Sequence, residues 1–280
     1  MNGPYRHKSR AAIAVAVIGV LVAWYSQRDA QSSRAIPQND PPVRTDTREN
    51  APRPRETSLG PDHPGSHSHA GVDFDFYLMT LSWHPAFCAD GHSNKPECGT
   101  TGAHPLTIHG LWPERLRAGA YPHDCPAPRL DLAPALEREL EEYMPGVQSH
   151  LQEHEWRTHG ACTGLDDDEY FQDAIKLARE LDAALRPALT TLAGRETSAG
   201  ELRAAANAYH AGLGATFVLQ CHTLREAPSA LRNRPFLIEV RQCVDHDGAG
   251  GAPGTPLDCA SVQRRDQGCG SSFRIAELPR

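Results

Sequence analysis

The chain has no cysteine before Cys88, and its eight cysteines all lie between Cys88 and Cys269. None of them has the C-x₂-C spacing, so the sequence lacks the usual cysteine pairs of a structural zinc site. An even number of cysteines in one part of the chain favours disulfides formed outside the cytoplasm. Spacing alone leaves on the order of a hundred possible pairings.

Aromatic residues are absent from residues 26–70, and large aliphatic side chains are scarce there, while proline is frequent. Such a segment cannot bury enough apolar surface to offset the entropy lost on ordering. We therefore predict a disordered, proline-rich linker over residues 31–70. His63, His67 and His69 alternate within it and could bind a metal weakly, although we favour a solvated histidine patch.

The N-terminus has no apolar run of the length usual for a membrane-spanning helix. Arg6, Lys8 and Arg10 precede an apolar run over residues 11–25, whereas a bilayer span needs about 20 residues. A charged stretch followed by a short apolar run is typical of an export signal. No small-x-small cleavage site follows directly, so residues 1–30 are predicted to be a signal peptide or an uncleaved N-terminal anchor.

Basic residues do not outnumber acidic ones, and the formal net charge is −7 at pH 7. Nucleic-acid-binding domains usually display a basic stripe, and residues 71–280 contain none. The charge therefore weighs against a module that acts only by binding nucleic acid, since tight binding needs long-range attraction. A cleft for one or two nucleotides is not excluded, because it needs little such attraction.

The sequence does contain two short polar blocks about 45 residues apart. The first is Leu106–Glu114 (LTIHGLWPE), and the second, residues 154–162, reads HEWRTHGAC. Together they hold three histidines, His109, His154 and His159. A lone histidine is usually a surface or core residue, but several histidines beside a glutamate can perform acid–base chemistry.

The second block differs from the zinc-protease motif H-E-x-x-H, whose two histidines lie on one helical face. Here His154 and His159 are five residues apart, and Thr158 stands at the ligand position. On a helix with about 100° per residue, the two histidines lie about 140° apart and are poorly aimed at one ion. Glu155 and His159, at i and i+4, could instead flank one substrate group. We predict no metal and no cofactor.

In this order and separation, the two blocks resemble the active-site blocks of the ribonuclease T2 family, the secreted, acid, base-nonspecific ribonucleases. Further family-like features extend the resemblance over roughly residues 73–278. These features are the run FYLMTLSWHPAFC at residues 76–88, Tyr121 and Pro122 with Cys125, and the pair Tyr170 and Phe171.

The resemblance implies an endoribonuclease that cleaves single-stranded RNA by metal-independent transesterification, through 2′,3′-cyclic phosphates and with low base specificity. The 2′-hydroxyl attacks the neighbouring phosphorus and the 5′-oxygen leaves, so the reaction needs one base and one acid. By the family pattern, His159 is the base and His109 is the acid. Glu155 would orient or tune His159, and His154 would contact the phosphate. DNA lacks the attacking hydroxyl and should not be cleaved.

Aromatic and acidic residues of the same segments are candidates for substrate binding. Bases of single-stranded RNA stack on aromatic rings, so Trp112 or Tyr121 could line a base subsite. Packing beneath the site is the simpler expectation for Trp112 and Trp156. Glu114 stands where the family often has an acidic residue near the bound base.

One position departs from the family pattern. Members usually carry a lysine directly before the second-block histidine that acts as the base, and this chain has Thr158. Removing one preorganised stabiliser of the developing charge costs about 10²–10³ in rate. Thr158 could bind substrate through its hydroxyl, and Arg157 or another cation could supply the charge. The alternative interpretation is a catalytically weak relative that binds RNA or another partner; a zinc hydrolase is a third.

The resemblance also implies four disulfides and an extracytoplasmic location. The implied pairs are Cys88–Cys98, Cys125–Cys162, Cys221–Cys269 and Cys243–Cys259. We expect an exported, periplasmic or secreted monomer without stable membrane association, unless the N-terminal signal remains uncleaved.

Residues 71–280 are predicted to form one α+β domain. We expect a central, mostly antiparallel sheet flanked by helices and stapled by disulfides, preceded by the export signal and the disordered linker. Apolar side chains on both faces predict a central strand over residues 74–81. Further strands are predicted at residues 217–221, 236–244 and 273–278. Helical spacing is found from Leu132 to Tyr143 and from Phe171 to Leu185, where Pro187 is expected to end the helix.

Overall fold

The computed structural model describes residues 71–99, 104–116, 121–126, 128–246 and 251–278. The predicted export signal and linker, residues 1–70, lie outside the described residues, and the predicted division into segments stays a prediction. None of the described helices combines the length and the apolar character needed to cross a membrane.

A mostly antiparallel sheet forms the centre of the fold. Its strands in the described residues are β1 (Phe76–Trp83), β2 (Leu106–Glu114), β3 (Glu196–Thr197), β4 (Phe217–His222), β5 (Phe236–His246), β6 (Pro253–Pro256) and β7 (Phe273–Arg274). The strand order is β2-β1-β5-β7-β3, and β4 and β6 also pair with β5. Only β5 and β7 pair in parallel among these strands. The predicted α+β class and central sheet are confirmed.

Helices cover the sheet. The α-helices in the described residues are α1 (His84–Phe87), α2 (Pro134–Tyr143), α3 (Leu151–Thr158), α4 (Asp167–Leu192) and α5 (Ala199–Tyr209). The long helix α4 begins with a capping box, in which Asp166 accepts from the Glu169 amide and Glu169 accepts from the Asp166 amide. The acidic residues of this first turn also suit the positive end of the helix dipole.

β1 is buried on both faces, as the apolar side chains on both faces of this segment predicted. Tyr77, Met79 and Leu81 pack into the main core together with α4. Phe76 and Leu78 pack into a smaller cluster on the opposite face, against which Trp112 of β2 also lies. This double burial fixes β1 between its neighbours β2 and β5 and sets the frame on which the polar blocks lie.

Two predicted boundaries are wrong. Pro187 does not end its helix, because α4 continues to Leu192. Leu185 and Leu189 are both fully buried, one on each side of the proline, and their packing outweighs the lost backbone hydrogen bond. The strand predicted over residues 273–278 is also shorter, since only Phe273–Arg274 forms a strand there.

Four disulfides join the pairs that the resemblance implied: Cys88–Cys98, Cys125–Cys162, Cys221–Cys269 and Cys243–Cys259. No cysteine is left unpaired. The Cys125–Cys162 bond ties the turn that follows α3 to the segment that follows β2.

Candidate active site

His109 lies in β2 at a β-bulge. The ladder between β1 and β2 pairs Leu81 with Ile108 and Thr80 with Gly110, so His109 has no partner in β1. Bulges re-aim side chains and are frequent beside active sites. The side chain of His109 is 37% exposed. An accessible imidazole is therefore held by a strand that is otherwise largely buried.

The second block ends one helix and begins a turn. Helix α3 ends at Thr158, and His159 has φ −122° and ψ −54°, outside the helical range. The helix on which the sequence analysis placed residues 154–159 therefore ends one residue earlier, and His159 lies just beyond it. A short turn, Gly160–Cys162, follows, and the Cys125–Cys162 disulfide holds its last residue.

Trp112 joins the two blocks. Its indole nitrogen donates a 2.8 Å hydrogen bond to Glu155 Oε2. The centroid of its ring lies 5.1 Å from that of His109 and 5.4 Å from that of His159. Glu155 Oε1 lies 3.9 Å from His109 Nε2. The structure thus brings the three predicted catalytic residues together around one tryptophan.

Glycine is required at position 110, between His109 and the tryptophan. A Cβ atom there would collide with the Glu155 carboxylate and with the indole nitrogen of Trp112. The backbone of β2 consequently lies directly against the hydrogen bond that joins the two blocks.

The surroundings of His159 favour its neutral form. Burial, together with the nearby His154 and His109, lowers the pKa of His159 to about 4. Its Nδ1 atom is buried and has no hydrogen-bond partner among the described residues. At mildly acidic pH this imidazole is therefore uncharged and able to accept a proton.

The surroundings of His109 favour its charged form. Burial alone would lower the pKa of His109, but its hydrogen bond to Glu239 and the charges of Glu239 and Glu155 outweigh burial and raise it. For Glu155 itself, burial is the main cause that raises the pKa to about 7. The two histidines are thus held in opposite protonation states over part of the acidic range.

A cavity of about 370 Å³ opens beside His109. The exposed His154 lines it, as do apolar side chains that include Phe87, Ile108 and Leu151. The histidine predicted to contact phosphate therefore lies at the edge of a space large enough for a planar ring.

The remaining predicted substrate-binding residues lie around this centre. Tyr121 is 45% exposed, and the centroid of its ring is 6.3 Å from that of His159. Thr158 is half-buried, and its carbonyl accepts a 2.9 Å hydrogen bond from the Asp124 amide. Glu114 forms a 2.7 Å ion pair with Arg264. Trp156 packs in the core, 2% exposed, as expected.

Two residues of β5 extend the site and were missed by sequence reasoning. Glu239 Oε1 lies 2.6 Å from His109 Nδ1. Arg241 donates to Glu239 Oε2 from Nε at 2.9 Å and from Nη2 at 2.6 Å. Its guanidinium carbon lies 5.2 Å from the centroid of the Trp112 ring. The sequence did offer one signal for them. Glu239 and Arg241 are charged residues, two positions apart, in an otherwise mostly apolar strand predicted at residues 236–244.

One group of three potential metal ligands occurs in the described ranges: His84, Cys88 and Cys98. The two cysteines form a disulfide, so they offer no thiolate to a metal. The absence of a metal and of a cofactor from the reaction stays a prediction.

Comparisons with known proteins agree with the geometry. The sequence model of the ribonuclease T2 family matches residues 74–252. A ribonuclease of Aeromonas hydrophila is 37% identical over 108 residues, which cover 39% of this chain and 46% of that protein. Ribonuclease I of Escherichia coli (strain K12) is 32% identical over 146 residues, which cover 39% of this chain and 54% of that protein. The chain thus spans about half the length of these two relatives.

A solved structure supports the same grouping. It is a mutant of ribonuclease MC1 in complex with 5′-UMP, which is 28% identical with a TM-score of 0.56 and covers 72% of this chain and 99% of that chain. The family match extends over more than half of the chain and includes both polar blocks. The chain belongs to the ribonuclease T2 family.

Proposed function

We propose that the chain is an endoribonuclease that cleaves single-stranded RNA by metal-independent transesterification, with low base specificity. The observation that carries the proposal is the opposite tuning of two histidines that contact the same tryptophan. The pKa of His159 is lowered to about 4, while that of His109 is raised. One base and one acid are thereby available together at mildly acidic pH, as the reaction requires.

In the first step, His159 accepts the proton of the 2′-hydroxyl as its oxygen attacks phosphorus. The bond from phosphorus to the 5′-oxygen breaks, and His109 Nε2 donates its proton to that oxygen. The products are a 2′,3′-cyclic phosphate and a free 5′-hydroxyl. In a second step the roles reverse: His109 activates water, and His159 returns its proton to the 2′-oxygen.

Glu155 acts beside the phosphate in its neutral form. Its pKa of about 7 leaves the carboxyl protonated at mildly acidic pH. Trp112 donates to Oε2, so the proton lies on Oε1, the oxygen nearer to His109. A neutral carboxyl does not repel the phosphate, and it can donate a hydrogen bond to a non-bridging oxygen.

RNA would lie across the exposed edge of this site. His154 would contact the phosphate, and the cavity beside His109 has room for a base. Tyr121 offers an exposed ring near His159 for stacking. Glu114 forms an ion pair with Arg264. It can contribute to base binding only if the base contacts Glu114 while this ion pair is kept.

A second candidate function is RNA binding with little turnover, and Thr158 is the residue that favours it. Charge develops on the non-bridging oxygens during attack, and Thr158 brings no cation to them. A weak enzyme of this kind would retain the cleft and its aromatic residues but form product slowly or not at all.

Incubation of the purified protein with RNA in excess EDTA separates the possibilities. We expect cyclic-phosphate products from the wild type and none from His159→Ala or His109→Ala. Retained binding without turnover would support the second candidate. Turnover abolished by EDTA would instead indicate a metal-dependent hydrolase. A DNA strand of the same sequence serves as the control and should remain intact.

The same proposal includes an extracytoplasmic location. Four disulfides are stable in an oxidising compartment, and the N-terminal residues have the pattern of an export signal. We propose a periplasmic or secreted monomer that has no stable membrane association unless its signal is retained.

A further inference from the structure

Glu239 and Arg241 reach the site from a strand that contains neither polar block. Residues of β5 pair with β1, where Glu239 lies opposite Ser82 and Arg241 lies opposite Thr80. These β1 residues are small, and they pair on their other side with β2. The long side chains of β5 can therefore extend across β1 to His109 on β2.

We propose that Glu239 and Arg241 form a positioning pair for His109, in which Glu239 fixes the proton on Nδ1 and Arg241 fixes Glu239. The pair would determine that Nε2 is the atom that donates to the leaving 5′-oxygen. This inference rests on the proposed function and adds two residues to it. Neither residue belongs to the blocks that carry the family pattern.

The hydrogen bond determines the position of one proton. A carboxylate can only accept, so the 2.6 Å contact between Glu239 Oε1 and His109 Nδ1 requires a proton on Nδ1. The second proton of the charged imidazole is then on Nε2, the nitrogen that lies toward Glu155. When this proton passes to the 5′-oxygen, His109 becomes neutral. Its other proton stays on Nδ1, which continues to donate the hydrogen bond to Glu239.

Arg241 holds the carboxylate in place. It donates two hydrogen bonds to Oε2 and leaves Oε1 to His109. A guanidinium in such a fork restricts the rotation of the carboxylate it binds. Its position over the Trp112 ring links the pair to the same tryptophan that contacts both histidines.

Several charged or titratable groups face His109 and set its charge together. They are Glu239 and Arg241 on β5, Glu155 and His154 on α3, and His159 after α3. Burial would raise the pKa of Glu239, but its contacts with His109 and Arg241 lower it overall. Glu239 therefore remains negative at acidic pH, where Glu155 is mostly neutral, and it is the lasting partner of a charged His109.

Two substrates with different leaving groups test the proposal. A dinucleotide such as UpA releases a poor leaving group that needs a proton, whereas the uridine 3′-(4-nitrophenyl) phosphate ester releases a phenolate that does not. For Glu239→Gln we expect kcat on the dinucleotide at pH 7 to fall by about 10- to 100-fold. This loss is a part of the rate enhancement that general acid catalysis supplies. The loss should be smaller at pH 5, and the rate on the aryl ester should change little.

The pH profile gives a second readout. Without the negative partner, burial dominates and the pKa of His109 falls, so the alkaline limb of the dinucleotide profile should move to lower pH. Arg241→Gln should lower kcat on the dinucleotide more than on the aryl ester, because Glu239 is less restrained. Its alkaline limb should not move to lower pH, because the charge of Arg241 itself lowers the pKa of His109. If Glu239→Gln does not fold, as judged by circular dichroism, the ratio of the two substrate rates in Arg241→Gln provides the test.

Asp182→Asn is a matched control. Asp182 is a buried carboxylate that pairs with a histidine and an arginine, His104 at 3.2 Å and Arg186 at 2.9 Å. Its loss should leave the ratio of the two substrate rates unchanged, whatever it costs in stability.

The outcomes separate the two proposals. If Glu239→Gln lowers kcat equally on both substrates, or if its alkaline limb does not move, the positioning role is overturned. Cleavage by the wild type would still support the proposed function. A wild type that cleaves neither substrate would overturn the proposed function and the positioning role with it.

Discussion

At the residue scale, burial acts in the same direction on two imidazoles, and their neighbours decide the result. For His159, burial is the main cause, and the nearby His154 and His109 act in the same direction, so its pKa falls to about 4. His109 has the Glu239 carboxylate on Nδ1, and this hydrogen-bonded negative charge is the main cause that raises its pKa despite burial. The proposed division of labour between acid and base thus rests on the surroundings of the two imidazoles.

This tuning predicts a bell-shaped dependence of kcat/KM on pH. The base must be neutral, so activity should rise as pH passes through about 4. The acid must be protonated, so activity should fall as pH rises past the raised pKa of His109, above its usual value of 6.5. Initial rates on a dinucleotide from pH 3 to 9 measure both limbs, and a flat profile between pH 4 and 8 contradicts the two-histidine assignment.

Thr158→Lys tests the residue that departs from the family pattern. A lysine would bring positive charge to the non-bridging oxygens, and we expect kcat on RNA to rise by about tenfold or more. Thr158→Gln, which adds length without charge, is the control. Unchanged or lower activity of the lysine variant would show that position 158 is not a missing stabiliser.

Gly110→Ala tests the close approach of β2 to the Trp112–Glu155 hydrogen bond. The added Cβ must displace the carboxylate or the indole, so we expect a loss of about 1–3 kcal/mol in the free energy of unfolding. Activity should fall as well, because Glu155 moves. Gly200→Ala, whose Cβ would meet only Ser198 Oγ at 3.8 Å, is the control and should keep wild-type activity. Urea unfolding and RNA cleavage measure the two effects.

At the element scale, the site depends on where strands and helices end or become irregular. His109 lies at a bulge of β2, and His159 is the first residue beyond α3. Periodicity in the sequence predicts regular elements, so it placed His159 on the helix. It also ended α4 at Pro187, because local propensity does not include the burial of Leu189. Irregular points of this kind are determined by tertiary packing.

The Cys125–Cys162 bond fixes the turn that carries His159. Its two cysteines are 37 residues apart, and loss of such a bond costs about 2–4 kcal/mol of unfolding free energy. We expect the double variant Cys125→Ala with Cys162→Ala to lose activity even at temperatures where it is fully folded, since His159 is less restrained.

The Cys243–Cys259 bond offers the comparison for that prediction. It joins β5 to the segment after β6 and lies in the smaller apolar cluster. Its removal should lower the unfolding temperature but leave activity per folded molecule close to that of the wild type. Similar losses of activity in both double variants would show that the first bond has no special effect on the site.

At the scale of the whole molecule, the fold and the central residues could be predicted, but the network around them could not. The apolar run of β1 indicated a central strand, and the two blocks led to His109, Glu155 and His159. The disulfide pairs came from the family resemblance, since spacing alone did not select them. Glu239 and Arg241 stayed hidden because the contact of Glu239 with His109 spans 130 residues of sequence. A short sequence motif cannot predict a contact between distant strands that forms only when the sheet is assembled.

The bulge in β2 also limits how the site can change through mutation. Successive residues of a strand point to opposite faces of the sheet, and the extra residue at the bulge reverses this alternation along β2. A histidine moved by one position would face the other side, away from Trp112 and Glu239. Single-residue insertions or deletions between Leu106 and Gly110 should therefore be rare among functional descendants of this protein, even where substitutions are frequent.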